Sequence, residues 1–156
     1  MLARPLALVV FASLTIMVGN IPAQDKTESH GKIAVIREWK GFHCGVDKPA
    51  QLVIRDAKSW ADLWGKIHSN VTPKPPVPEL DFDKYQVLAV FLGQKPTGGY
   101  SIRIRDITPD TKTGKLLATL EELSPPPGSI VIQVLTQPYH VVVIPKTDKE
   151  IEFRRQ

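Results

Sequence analysis

Cysteine is nearly absent. Cys44 stands alone in 156 residues, so no intramolecular disulfide can form and the fold must hold by packing. Its neighbour His43 suggests a Cys-His nucleophile, but adjacent strand residues point to opposite faces and no acidic or amide orienter is evident nearby. Catalytic and ligating motifs are missing too. There is no GxSxG elbow, no CxxC or HxxxH spacing and no glycine-rich phosphate loop ahead of a helix, and His30, His43, His68 and His140 are scattered. These absences argue against triad hydrolases, zinc sites and nucleotide chemistry, and point to a non-enzyme with no metal and no cofactor. Asp81 and Asp83 flank Phe82 at strand parity and would share a face. Two acids without a third group to shift either pKa read as a solvated edge. The net charge of +4 is modest, and no Lys/Arg run is interleaved with aromatics. Nucleic acid is therefore not expected as a partner.

What is present starts with a targeting segment. Arg4 supplies a positive start, Pro5 to Val18 an apolar stretch, and Asn20-Ile21-Pro22-Ala23 a small-residue exit, so residues 1–23 read as a signal peptide cleaved after Ala23. No second long apolar run follows, so no stable membrane span is expected after cleavage; retention of the uncleaved segment as an anchor is the alternative. The expected product is exported, to the periplasm or the extracellular space. Residues 24–32 are polar and aperiodic, a disordered leader. Residues 33–154 are then enough for one domain with its own core.

Within that domain Ile33 to Trp39 and Gln51 to Ile54 read as strands, expected to pair with each other or nearly so. One amphipathic helix follows, capped by Asp56 or Ser59, with Trp60, Leu63, Trp64 and Ile67 at i, i+3, i+4 and i+7. Trp60 and Trp64 could form a sugar-stacking platform, yet Leu63 and Ile67 on the same stripe argue for burial. His68 suits the helix C-terminus without further role. Residues 69–84, with Pro73, Pro75, Pro76 and Pro78, form a connector that wraps the outside rather than a PxxP ligand. Asn70-Val71-Thr72 fits an N-glycosylation acceptor, relevant only in a eukaryotic secretory pathway.

The centre of the chain is the run Val87 to Leu92, apolar at both parities, followed by Gly93 to Gly99 and the alternating Tyr100 to Ile107. The pattern predicts a central hairpin displaying a stiff Pro96-Gly98-Gly99 loop. Further β runs are expected at Lys115–Leu123, Ser129–Leu135, Tyr139–Ile144 and Glu150–Arg154, with turn signals between them. The fold class is mostly β with α+β character: an antiparallel β-sandwich or barrel-like domain with one amphipathic helix. A plain up-and-down path places residues 93–99 and 123–128 at one end and Thr136-Gln137-Pro138 at the other. Pro138 removes a ladder donor and fixes its neighbours Tyr139 and His140, and a cis Gln137-Pro138 bond is left open.

The motifs Phe91 to Ile102, Leu135 to Val142 and Ile144-Pro145-Lys146, in this order, resemble the C-terminal domain of the protease-complex subunit PrcB family over about Trp60 to Phe153. The resemblance implies an exported binding or stabilising role near a peptidase rather than catalysis. It carries over onto Lys95, Pro96, Thr97, Gly98, Gly99, Tyr100, Gln137, Pro138, Tyr139 and His140, the candidate partner-binding residues. The Lys95–Tyr100 turn is also similar to the first loop of chagasin-like cysteine-peptidase inhibitors, and Gln137-Pro138-Tyr139 distantly to their last loop. Here the Arg and Trp of that loop are missing and Ser124–Gly128 is not their middle loop. Two other readings remain: a glycan or peptidoglycan module using Trp60, Trp64 or Tyr100, and a hydrolase gathering Cys44, a histidine and an acid.

Overall fold

A segment that is apolar on both faces needs cover on both faces, and this requirement organises the molecule. The computed structural model describes residues 31–156; the segment expected to be a signal peptide and most of the expected leader lie outside the described residues. The elements are β1 (Arg37–Gly41), β2 (Ala50–Ile54), α1 (Ala57–Ile67), β3 (Tyr85–Phe91), β4 (Ser101–Pro109), β5 (Leu116–Leu123), β6 (Tyr139–Pro145) and β7 (Ile151–Arg155). They form two sheets, ordered β1-β6-β3-β2 and β4-β5-β7. Leu88 and Val90 of β3, with Val142 and Ile144 of β6, pack onto Ile102, Ile104, Ile107, Ala118 and Leu120 of the second sheet. The opposite parity, Val87, Ala89, Phe91, Val141 and Val143, packs against Trp60, Leu63, Trp64 and Ile67 of α1. The result is three layers, helix on sheet on sheet, in a sandwich; among the described residues no barrel closes.

Local chemistry places the helix. Asp56 is extended at φ −144°, accepts the Ser59 amide at 2.8 Å and serves as the N-cap, satisfying an amide the first turn leaves without a partner. The Ser59 hydroxyl is spent donating back to Asp56. The proline-rich connector crosses this helix as expected of a wrap. Prolines lack donors but keep carbonyls, and Pro78 and Pro75 accept the indole N–H groups of Trp60 and Trp64 at 2.9 and 3.2 Å. Both rings are therefore interior, at 2% and 6% exposure, with Trp39 5.5 Å from each.

Several expectations are corrected. β3 and β4 are not a hairpin: β3 pairs with β2 and β6, and β4 pairs with β5 in the other sheet. The two patterns explain it, because β3 is covered on both sides whereas the alternating exposure of β4 suits a sheet with one solvated face. β1 and β2 are not paired; they are opposite edges of the first sheet. The first strand falls at Arg37–Gly41, and residues 33–36 instead cross between sheets, Ile33 N–H bonding Ile107 O at 2.7 Å and Ile36 N–H bonding Val143 O at 2.8 Å. Residues 129–135 form no strand. The place beside β5 that a returning strand would take is held by β7, and β7 pairs with β5 in parallel, an exception to the antiparallel pattern. Asp81 and Asp83 lie in a turn, where Asp81 accepts the Asp83 amide and pairs with Lys84. The Gln137-Pro138 bond, left open by the sequence, is trans; among the described residues the cis peptide is Thr72-Pro73.

Candidate functional site

Where a strand ends decides where its loop is displayed. Tyr139, the first residue of β6, pairs with Phe91 at the end of β3 and Gly41 at the end of β1, and Phe91 pairs with Ala50 at the start of β2. The connections 42–49, 92–100 and 124–138 therefore converge on one end of the sandwich. This overturns the expectation that Thr136-Gln137-Pro138 lies at the far end. A strand at 129–135 would have carried the chain there; without it, the chain stays.

The loops are stitched by backbone bonds. Lys95 and Thr136 exchange both amides, at 2.7 and 3.0 Å, Gly98 N–H reaches Ile132 O at 2.9 Å, and Gln94 N–H reaches Asp47 O at 2.9 Å. The Thr136 hydroxyl, itself buried, donates to Thr97 O at 2.9 Å. Gln137 N–H donates to Phe42 O at 2.7 Å and its amide side chain to Asp47 at 3.3 Å. Close approach and left-handed backbone require glycine twice. Gly93 has φ +75° with Pro49 Cδ 2.7 Å from where a Cβ would sit, and Gly99 has φ +87° with Pro125 Cβ at 3.0 Å. Lys95 holds its ammonium 5.6 Å from the Tyr100 ring centre, within cation–π range.

The structure thus joins the two candidate segments, but not all ten residues reach the surface. Pro96 and Gly99 are exposed; Lys95, Thr97, Gly98, Tyr100, Gln137 and Tyr139 are half-buried; Pro138 and His140 are buried. His140 ties the sheets together from within. Its Nδ1 accepts the Ile104 amide of β4 at 2.9 Å and its Nε2 meets the Glu38 carboxylate of β1 at 3.2 Å. An amide can only donate, so Nδ1 is unprotonated and Nε2 carries the hydrogen. Burial pushes the imidazole pKa below its ordinary value, with Glu38 pulling the other way. The Glu38 carboxyl is in turn held below its usual range, chiefly by the His140 hydrogen bond.

The residues sequence reading did not assign to the site are apolar. Ile130, Ile132, Val134 and Leu135 point into solvent, Ile132 at 76% exposure, alongside exposed Phe42 and Leu123. Their signal was in the sequence, in the β-branched run read as a strand, but among the described residues no strand pairs with the run. Between the β1 and β4 edges lies a groove of about 320 Å³ lined by Phe42, Ile102, Arg103, Leu123, Pro138 and Tyr139. A larger depression, about 580 Å³, lies under Val77 to Phe82 on the helix side and touches none of these residues.

Two rival readings lose residues here, although Tyr100 of the glycan reading stays half-buried. The interior Trp60 and Trp64 offer no sugar-stacking face. The Cys44 thiol is buried and lies 3.4 Å from Gln137 O, which it meets as a donor; burial pushes its pKa up, the opposite of what a nucleophile needs. Among the described residues no three His, Cys, Asp or Glu side chains group as metal ligands, and no helix is long and apolar enough to cross a membrane.

These features define a class: a helix-backed two-sheet β domain presenting three interlocked loops at one end. Residues 86–145, from β3 through β6, match the family described as PrcB C-terminal. That span contains both candidate loops and the exposed run between them. No curated protein and no solved structure gives a significant match.

Proposed function

We propose that this chain is an exported, non-catalytic protein-binding domain, a subunit, stabiliser or regulator of a secreted peptidase, acting in the periplasm or outside the cell after loss of residues 1–23. The observation that carries the reading is the loop end itself. Lys95–Tyr100 and Thr136–Tyr139 are locked together and flanked by exposed Ile130, Ile132, Val134 and Leu135. Contiguous exposed apolar side chains on a rigid frame are the composition of a contact surface rather than a reaction site.

The test is co-purification from the native envelope with tagged mature protein. Wild type is expected to retain a peptidase, and the double variant Ile132→Asp, Leu135→Asp to lose it with an unchanged melting temperature. Retention of the same peptidase by the folded variant would sink the reading. A narrower version, plugging of a cysteine-peptidase cleft in the manner of chagasin-like inhibitors, is favoured by the arrival of three loops at one end. Inhibition of papain that fails after Pro96→Asp supports it, and no inhibition at micromolar concentrations removes it. N-terminal sequencing of the secreted product, expected to begin at Gln24, tests export separately.

A further inference from the structure

The seam between the free edges of the two sheets is filled along only part of its length. Residues 33–36 cross its lower part, Ile33 N–H bonding Ile107 O of β4 at 2.7 Å and Ile36 N–H bonding Val143 O of β6 at 2.8 Å. The Glu38–His140–Ile104 chain crosses its middle. The upper part is the 320 Å³ groove, at the small end of the ligand-pocket range of about 300–1,000 Å³.

Backbone direction in the groove follows from alternation along each strand. The Ile104 amide turns away from β5 to reach His140, so Ile102, two residues earlier and before the bulge that follows Ile104, turns its N–H and C=O the same way, into the groove. On the other wall, Leu92 N–H bonds Pro138 O, which directs Pro138 and then His140 towards β3. Tyr139 must therefore face its partner Gly41 in β1, and Lys40, one step along, presents its backbone outward. Among the described residues neither edge has a strand beside it there. The charges at the rim are already matched, Arg103 to Glu121 at 2.7 Å and Lys40 to Glu38 at 3.4 Å, so the groove offers backbone and apolar wall rather than a free ion.

We propose that the upper seam takes an extended, apolar peptide segment of a partner protein as an added strand on the Ile102 edge of β4. Its side chains would pack against Phe42, Leu123 and Tyr139. The molecule's own residues 33–36 already use main-chain bonds to both walls of the seam, one to each sheet, and strand addition to an open edge supplies affinity through the same kind of bond. The inference rests on the protein-binding reading only for the partner's origin.

The experiment uses isotope-labelled mature protein and the peptide acetyl-Thr-Val-Thr-Val-Thr-amide, chosen to be extended and uncharged. At saturation the Ile102 amide should exchange about tenfold more slowly, the effect of one net backbone hydrogen bond. The change should vanish with a copy of the peptide N-methylated at its central threonine, and with Leu123→Arg, a substitution at an exposed wall position. An unchanged Ile102 amide overturns the proposal, as does equal protection by the N-methylated copy. Protection that appears without peptide as protein concentration rises also overturns it, in favour of edge pairing between two copies. If peptide pairing fails while peptidase capture still depends on Ile132, the seam is refuted and the loop-end reading stands; the reverse pattern refutes the loop end alone.

Discussion

Acidification should loosen the sandwich through one residue. Protonating His140 at Nδ1 sets it donor against donor with the Ile104 amide, which is then left buried without an acceptor at a cost of about 1–3 kcal/mol. The new attraction between imidazolium and Glu38 offsets part of this, but Glu38 is 51% exposed, so solvent screening holds that gain below about 1 kcal/mol. Nearby Lys40 and Arg103 oppose the charge further. The net loss should be about 1–2 kcal/mol, which at this size lowers the melting temperature by roughly 3–10 °C. The sign follows from linkage. The folded-state pKa lies below the unfolded value of about 6.5, so the unfolded chain binds more protons between the two. The stabilisation is complete above pH 6.5 and is lost as pH falls through the folded value. Thermal unfolding followed by circular dichroism from pH 7.5 to 5, on wild type and His140→Gln, is the assay. Glutamine cannot titrate yet keeps both an acceptor and a donor, so its pH slope should be flatter. An equal slope in the two proteins, or a wild type more stable at pH 5 than at 7.5, would refute the reasoning.

Glycine substitutions at the loop end should separate by position. Gly98→Ala is expected to be near neutral, its nearest neighbour lying 3.7 Å from the new Cβ, whereas Gly99→Ala, at φ +87°, should cost about 1–2 kcal/mol. Urea unfolding of the pair checks this, and equal stabilities would contradict the loop geometry. Gly41→Ala places a Cβ 2.8 Å from the Tyr139 ring and should cost about 1–3 kcal/mol as overpacking. It should also break the Tyr139–Phe91 stacking, visible as altered near-ultraviolet circular dichroism; an unchanged spectrum and midpoint would argue against that contact.

Periodicity within an element was readable; pairing between elements was not. The 3.6-residue stripe through Trp60 and Ile67 and the two-faced apolarity of β3 each have a single good burial solution. Which strand lies beside which depends on contacts remote in sequence, and glycines 93 and 99 serve a turn between sheets as well as they serve a hairpin. The run Ser129–Leu135 carries full strand propensity, yet β7 already occupies the position it would need. That displacement brought the loops to one end and bared Ile130 and Ile132. Tyr139 and His140 were singled out together, but strand alternation divides them, placing Tyr139 at the groove and His140 inside.

The central claim is that the loop end, and not the opposite end, is the surface that meets another protein. Site-specific photocrosslinking in the native envelope tests it most directly, with benzoylphenylalanine at Ile132 in one protein and at Lys112, in the far β4–β5 turn, in another. The account predicts one discrete adduct containing a peptidase from position 132 and none from position 112. Adducts from position 112 alone, or from neither position in a correctly folded protein, would contradict it.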